Sequence, residues 1–175
     1  MNIFLMGFMG CGKSTIGKKL AKLIDYDFID FDRLIEEKVQ LSINDIFKQK
    51  GERYFRELET DVLNQLNINN TVISLGGGTP CYNENIALIN QKGLSIYLKM
   101  SKKVLAQRLV ESKTKRPLID DIKNNPVLLN DKINDLLLER EPDYLKADII
   151  FNALNMNAKK YDLLLKQIEN YFMSF

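Results

Sequence analysis

The sequence contains no histidine and only six arginines among its 25 basic residues. Without histidine, a general base in this chain must be a carboxylate, a lysine, a tyrosine or the substrate itself. The scarcity of arginine makes each one a candidate for a task that lysine cannot perform, because a planar guanidinium binds a carboxylate or phosphate through two parallel hydrogen bonds. The six are Arg33, Arg53, Arg56, Arg108, Arg116 and Arg140.

Cysteine, excess charge and long apolar runs are also scarce. Cys11 and Cys81 are far apart and form no CxxC pair, which excludes a disulfide framework and a zinc site. A net charge of +2, with lysines spread among acidic residues, argues against a nucleic-acid binder. The apolar runs are too short to cross a membrane and the start of the chain lacks signal-peptide features, so we expect a cytoplasmic protein with no membrane partner. A length of 175 residues predicts a single domain, residues 1–175, and we expect a monomer.

Apolar, strand-like segments alternate with segments of helical periodicity along the whole chain. Strict alternation predicts an α/β fold in which helices cover both faces of a parallel sheet. A polar stretch at 111–125 that contains Pro117 predicts a surface loop of the kind used as a lid. The predicted strands are 2–6, 27–29, 71–75, 94–98 and 148–151, and the predicted helices are 14–24, 33–39, 52–66, 84–90, 102–109, 130–138 and 159–172, with one more helix start at Ser42.

A complete phosphate-loop motif, GxxxxGK[ST], lies between the first predicted strand and the first predicted helix. Its glycines let backbone N–H groups surround phosphate oxygens, and the helix N-terminus adds partial positive charge. We expect Lys13 to reach the β- and γ-phosphates and the Ser14 hydroxyl to bind Mg²⁺. The candidate ATP-binding residues are Gly10, Cys11, Gly12, Lys13, Ser14 and Thr15.

Two further segments follow predicted strands and so belong at the carboxyl edge of the sheet, where open α/β folds bind ligands. Asp30 and Asp32 follow strand 27–29, and two carboxylates beside Mg·ATP suit phosphoryl transfer. The alternative is that Asp32 only caps the helix that begins at Arg33. Three glycines, 76–78, follow strand 71–75, and they indicate close approach of a ligand or, alternatively, a plain tight turn.

Taken together, these segments resemble the shikimate kinase family. The matching segments are GFMGCGKST at 7–15, DFD at 30–32, GERYFRELE at 51–59, SLGGGTP at 74–80, KRPL at 115–118 and EREPDYLKAD at 139–148. The resemblance implies a three-layer P-loop kinase fold with a five-stranded parallel sheet, a substrate-binding region at about 31–66 and a lid at about 111–125. It also implies that ATP, with Mg²⁺, phosphorylates the 3-hydroxyl of shikimate, in the pathway to aromatic amino acids.

The resemblance further assigns roles to individual residues. Lys13, Asp32 and Arg116 are the implied catalytic residues, and Arg116 also binds ATP. The chain has Ser74 where many P-loop proteins have a metal-binding aspartate, so we expect magnesium to depend on Ser14, the phosphates and water, with Asp30 acting through a water molecule. Arg108 and the segment 151–156 are candidates for contact with adenine. The implied shikimate-binding residues are Asp32, Arg56, Gly76, Gly77, Gly78 and Arg140.

Each arginine assignment has an ordinary alternative. Arg56 could form a surface ion pair with Glu59, three residues along a helix. Arg140 could pair with one of its acidic neighbours, and Arg116 could belong to a solvated basic loop. At the level of function, the rivals are another small-molecule kinase of this fold, such as a gluconate kinase, and a nucleotide-binding regulatory protein that has lost turnover.

Overall fold

A computed structural model describes residues 1–112, 114, 116 and 118–174 of the chain. Within these residues, five strands form one sheet in which all neighbours pair in parallel, in the order β2-β3-β1-β4-β5. The predicted parallel sheet is therefore confirmed, and β1, which leads into the phosphate loop, lies at its centre. The strands are β1 (Asn2–Met6), β2 (Asp27–Asp30), β3 (Thr71–Ser74), β4 (Gly93–Lys99) and β5 (Ile149–Asn152).

Helices connect the strands and form the two outer layers. Among the described residues, none of these helices has both the length and the apolar character that a membrane span requires. A short 3₁₀ turn, Thr79–Cys81, follows the three glycines after β3. The helices are α1 (Lys13–Ile24), α2 (Phe31–Val39), α3 (Ile43–Gln65), α4 (Asn85–Lys92), α5 (Lys102–Glu111), α6 (Pro126–Tyr144) and α7 (Ala158–Met173).

The core is divided between the two faces of the sheet, and β1 contributes to both. Ile3 and Leu5 belong to one buried cluster, whereas Phe4 and Met6 belong to the other. This division follows from the pleat, which directs successive side chains to opposite faces. Because helices cover both faces, the whole strand is buried, and this explains its continuous apolar sequence.

Helix α3 differs from the sequence prediction because it joins two segments that were expected to be separate. It begins after Ser42, whose side chain accepts a hydrogen bond from the Asp45 N–H, and it continues to Gln65. The helix is broken at Gly51, where φ is 81° and ψ is 170°. Only glycine adopts this conformation readily, so the kink depends on the glycine at this position.

Helix α6 is longer at both ends than the predicted 130–138 segment. It begins with Pro126, which is tolerated at the first helical position, and the Asn125 side chain caps it by accepting from the N–H groups of Val127 and Leu128. The extension at the other end is important for the site, because it places Arg140 on the helix.

Candidate active site

Three loops meet where the adjacent strands β1, β2 and β3 end. The phosphate loop follows β1, Asp30 and Asp32 lie at the end of β2, and the glycines 76–78 follow β3. Because β3 pairs with both β1 and β2, the carboxyl ends of the three strands are neighbours. The fold therefore brings together the three segments that the sequence singled out.

The phosphate loop has the backbone conformation that its glycines permit. Gly7, Gly10 and Gly12 have φ values of 138°, 84° and 98°, in the region that disfavours other residues. A Cβ atom at Gly7 would also lie 2.9 Å from the Leu98 carbonyl oxygen. The Lys13 ammonium donates to the Gly7 carbonyl at 2.8 Å, so its charge lies directly over the loop.

Three oxygen-bearing side chains meet beside the phosphate loop. The Ser14 hydroxyl donates to the Asp30 carboxylate at 2.7 Å, and it lies 3.2 Å from the Ser74 hydroxyl oxygen. Hydroxyl and carboxylate oxygens are ligands that Mg²⁺ prefers in proteins. The donor set thus fits a magnesium ion that takes most of its remaining ligands from phosphate and water.

Asp32 lies inside α2 and not at its N-terminal boundary. The helix begins at Phe31, so the N-cap residue is Asp30, and its side chain makes no capping hydrogen bond. The interpretation of Asp32 as only a helix cap is therefore wrong. Its carboxyl group lies against the glycine loop, because a Cβ atom at Gly76 would be 2.6 Å from the Asp32 Oδ1 atom.

Burial changes the acidity of Asp32. Loss of solvent raises its pKa from 3.8 to about 7, and the negative charges of Glu59 and Asp30 act in the same direction, while Lys13 opposes them. A carboxyl group with a pKa near neutrality can both hold and release a proton at physiological pH. In a chain without histidine, this pKa makes Asp32 a candidate for the general base.

Arg56 is held by carboxylates in the interior of the protein. Its side chain donates to Glu59 at 2.6 Å and to Glu52 at 2.8 Å. Arg56 is 6% exposed and Glu59 is completely buried, so the alternative of an ordinary surface pair is wrong. Gly78 allows this arrangement, because a Cβ atom there would lie 2.6 Å from the guanidinium although its backbone is ordinary, with φ of −99°.

Arg140 is buried and forms no close ion pair among the described residues, although the charge of the buried Glu59 acts on it from a greater distance. It is 1% exposed, and its Nε atom has no hydrogen-bond partner in the part of the chain that the structure describes. Its acidic neighbours contact other residues: Glu139 accepts from the Tyr82 hydroxyl at 2.9 Å, and Glu141 pairs with Lys99 at 2.9 Å. The alternative in which Arg140 pairs with them is wrong. A buried guanidinium with an unused N–H donor is costly and indicates an acceptor such as an anionic ligand.

Two cavities meet at this site. The larger, of about 790 Å³, is lined by the phosphate loop and is called here the phosphate cavity. The smaller, of about 140 Å³, is lined by Arg56 and Arg140 and is called the arginine cavity. Five residues line both: Met9, Asp32, Ile43, Gly77 and Arg116. The Asp32 carboxyl group, whose pKa is raised, thus lies where the two cavities join.

Arg116 lies on the loop predicted as a lid. Its guanidinium donates to the Ser112 hydroxyl at 2.9 Å and to the Thr114 carbonyl at 3.2 Å. Partial burial lowers the pKa of Arg116, against the opposing effect of Asp120. Because Arg116 lines both cavities, the solvated-loop alternative does not describe it. Three other residues of the predicted lid, 113, 115 and 117, lie outside the described residues.

The candidates for adenine contact fall in different places. Arg108 lines the phosphate cavity and donates to the Gly10 carbonyl at 3.4 Å. In the segment 151–156, Phe151 and Ala153 are buried in the core, and the described residues that line the phosphate cavity come from other segments. Cys11, a candidate ATP-binding residue, is also buried, its N–H donates to the Phe8 carbonyl at 3.2 Å, and it is not among the described residues that line the phosphate cavity.

The sequence did not single out three residues that the structure places around the glycine loop. Thr79 donates to the buried Glu59, and the Tyr144 hydroxyl donates to the Gly77 carbonyl, so Tyr144 does more than fill the core. Tyr82 packs on the Arg56 guanidinium. No spacing rule connects these residues, because each contact joins segments that are distant in sequence.

Comparison with known proteins agrees with this geometry. The profile described as shikimate kinase matches residues 9–169. The chain belongs to the shikimate kinase family. A family member from Azobacteroides pseudotrichonymphae is 42% identical over 151 residues, which is 85% of this chain and 88% of that protein. The resemblance seen in the sequence motifs is thus confirmed over most of the chain.

Solved structures of family members share the whole fold. The shikimate kinase from Bacteroides thetaiotaomicron has a TM-score of 0.87 at 35% identity, covering 99% of this chain and 98% of that chain. The shikimate kinase from Acinetobacter baumannii, solved in complex with shikimate, has a TM-score of 0.83 at 35% identity, covering 99% of this chain and 93% of that chain. A gluconokinase from Sinorhizobium meliloti has a TM-score of 0.59 at 17% identity, covering 99% of this chain and 97% of that chain. At this identity, the likeness shows a shared fold alone.

Proposed function

We propose that this protein transfers the γ-phosphate of ATP to the 3-hydroxyl group of shikimate. The observation that carries the proposal is the junction of the phosphate cavity and the arginine cavity at Asp32. A phosphate donor in the first cavity and a hydroxy acid in the second would present their reacting atoms to the same carboxyl group. Membership of the shikimate kinase family supports the identity of the acid.

The arginine cavity is suited to a carboxylate. Arg56 and Arg140 reach it from different helices, and Arg140 lacks a partner for its Nε atom among the described residues. A substrate carboxylate would bring a negative charge next to Arg140 and accept hydrogen bonds from the guanidinium groups. Glu59 orients Arg56 for this task. Gly76, Gly77 and Gly78 also line the cavity, and we propose that their backbone contacts the acid, while the missing side chains at Gly76 and Gly78 let Asp32 and Arg56 pack against the loop.

The chemistry then follows from charge and position. Asp32 orients the attacking hydroxyl and accepts its proton as the new oxygen–phosphorus bond forms and the bond to ADP breaks. Lys13 and Arg116 stabilise the negative charge on the transferring phosphoryl group and on ADP. Magnesium, when bound with ATP, neutralises phosphate charge, and Ser14 would hold it directly while Asp30 would act through a water molecule.

The proposal extends to the organisation of the protein. Residues 31–66 form the substrate-binding region, because Ile43, Phe47 and Arg56 line the arginine cavity, and residues 111–125 form the lid. Residues of one chain line both cavities, so we propose a monomer, which light scattering coupled to size-exclusion chromatography tests. We also place the reaction in the cytoplasm, where ATP is abundant.

A coupled ADP-release assay tests the proposed function. Purified protein with Mg·ATP should release ADP with shikimate and far less with gluconate or with other hydroxy acids. Comparable turnover with gluconate would support the gluconate kinase alternative. Absence of ADP release with every acid, while Mg·ATP still binds, would support a nucleotide-binding protein without turnover.

A further inference from the structure

Tyr82 connects the two walls of the arginine cavity from a position just outside it. It directly follows the 3₁₀ turn, and its ring centroid lies 4.4 Å from the Cζ atom of Arg56. Its hydroxyl donates to Glu139 at 2.9 Å, and Glu139 immediately precedes Arg140 on α6. One side chain thus links the helix that carries Arg56 to the helix that carries Arg140.

The neighbours of Tyr82 in sequence strengthen this link. The Asn83 amide donates to the Arg56 carbonyl at 3.4 Å, and it also donates to the Thr60 hydroxyl at 3.0 Å. On the other side, the Cys81 thiol donates to the Arg140 carbonyl at 3.8 Å. Three consecutive residues therefore contact the two arginines or their immediate surroundings.

The Tyr82 ring affects the orientation of the Arg56 guanidinium more than the compensation of its charge. Glu52 and Glu59 already neutralise the guanidinium through hydrogen bonds. The ring lies within the distance at which a cation is attracted to an aromatic face. A guanidinium that is held in one orientation loses less freedom when it binds a carboxylate, so its affinity for that carboxylate increases.

We propose that Tyr82 is a positioning residue for recognition of the substrate carboxylate. It restricts the Arg56 guanidinium through its ring, and through its hydroxyl it sets the separation of Arg56 from Arg140. This inference rests on the proposed function, since it requires an acid substrate in the arginine cavity. We expect its consequence to be confined to the acid, because Tyr82 contacts Arg56 and the neighbour of Arg140 and does not line the phosphate cavity.

Steady-state kinetics of three variants test the proposal. Tyr82→Leu removes the ring and the hydroxyl and should raise the KM for shikimate roughly 5- to 30-fold, the range of a partly desolvated cation–aromatic contact. The KM for ATP and the kcat should change little. Tyr82→Phe keeps the ring and should recover most of the lost affinity. Tyr54→Leu is the matched control, because Tyr54 lies on α3 beside Phe55 but is 42% exposed.

A neutral substrate analogue separates positioning from a general structural effect. The protein should prefer shikimate to its methyl ester, and Tyr82→Leu should reduce this ratio of kcat/KM values by about the factor by which it weakens shikimate binding. A structural defect would lower activity towards both compounds equally and leave the ratio unchanged. If Tyr82→Leu does not fold, the same ratio is measured for Tyr82→Phe, where a decrease of roughly 2- to 5-fold is expected from one lost hydrogen bond.

The outcomes are distinguishable. An unchanged KM for shikimate in Tyr82→Leu, or an equal rise in the KM for ATP, overturns the positioning role while the proposed function stands. An unchanged acid-to-ester ratio in the folded variants overturns it as well. If the unaltered protein releases no ADP with shikimate, the proposed function itself fails, and the role of Tyr82 fails with it.

Discussion

At the scale of single residues, the environment of Asp32 has consequences for both rate and stability. Its pKa is about 7 in the folded protein and 3.8 in its ordinary state, mainly because the carboxyl group is buried. A raised pKa favours the protonated form in the fold. The stability that this group contributes is therefore complete below about pH 3.8 and is lost as the pH rises towards and through 7.

We predict opposite effects of Asp32→Asn on turnover and on stability. The variant keeps the size of the side chain and removes its charge, so turnover should fall by about 10² to 10⁴, the usual contribution of general base catalysis. Its melting temperature should exceed that of the unaltered protein at about pH 8, and the difference should shrink at about pH 5, where more of Asp32 is protonated.

Initial rates and thermal melts at the two pH values check this prediction. The control is Asp162→Asn, because Asp162 is exposed on α7 and its loss should leave both quantities nearly unchanged. Normal turnover in Asp32→Asn would mean that another group, such as the γ-phosphate, accepts the proton. An equal difference in melting temperature at both pH values would contradict the raised pKa.

The buried arginines lead to a prediction about substrate binding. Replacing Arg56 or Arg140 by lysine keeps the charge but removes the planar pair of donors, so the KM for shikimate should rise on the order of 10- to 100-fold. The KM for ATP should stay nearly constant. Arg53→Lys is the control on the same helix, because the Arg53 side chain is 93% exposed and its ion pair with Glu57 lies at the surface. Equal effects on both substrates would argue for a structural role.

At the scale of elements, the kink in α3 connects backbone conformation to the arginine cavity. The segment before Gly51 carries Ile43 and Phe47, which line that cavity, and the segment after it carries Arg56. The Phe47 and Phe55 rings are 4.9 Å apart across the kink, so they hold the two segments together. The kink therefore sets the position of Ile43 and Phe47 relative to Arg56 in the wall of the cavity.

We predict that Gly51→Ala strains this element. No neighbour lies within 4 Å of the added Cβ atom, so the effect comes only from the backbone, whose φ of 81° and ψ of 170° disfavour alanine. The free energy of unfolding should fall by about 1 to 3 kcal/mol, as measured by urea titration. The KM for shikimate should rise as well. Lys50→Ala, at an exposed helical position, should do neither, and a Gly51→Ala protein of normal stability would contradict the strain.

At the scale of the whole molecule, the site is assembled from loops after three strands and from side chains of α2, α3 and α6. These elements meet only in the folded state, so ligand binding and folding are linked. A ligand that binds only the native protein stabilises it by about 2.7 kcal/mol at 100 times its dissociation constant. For a chain of this size, such a gain raises the melting temperature by roughly 5 to 10 °C.

We predict that Mg·ADP raises the melting temperature by this amount and that Lys13→Ala abolishes most of the increase, because the Lys13 ammonium places a positive charge over the phosphate loop. Differential scanning fluorimetry with and without the nucleotide measures the effect. Lys22→Ala, at the exposed end of the same helix, is the control and should respond like the unaltered protein. A full thermal shift in Lys13→Ala would contradict the assignment of the phosphate loop.

The sequence by itself determined the features that depend on local signals. Glycines and a lysine at set spacing identified the phosphate loop, and the alternation of apolar strands with periodic helices predicted the parallel sheet that the structure confirms. Asp32 and the glycines 76–78 were found because each segment follows a strand. These signals are local because backbone conformation and side-chain periodicity are set by neighbouring residues.

Only the tertiary structure decided which of these residues act together and in what environment. The order of strands places β1 between β3 and β4, and no local pattern specifies that order. The burial of Arg56, the raised pKa of Asp32 and the Arg140 Nε atom that lacks a partner among the described residues all depend on segments that are distant in sequence. Desolvation and pairing are properties of the packed interior, so they exist only after the helices have closed over the sheet.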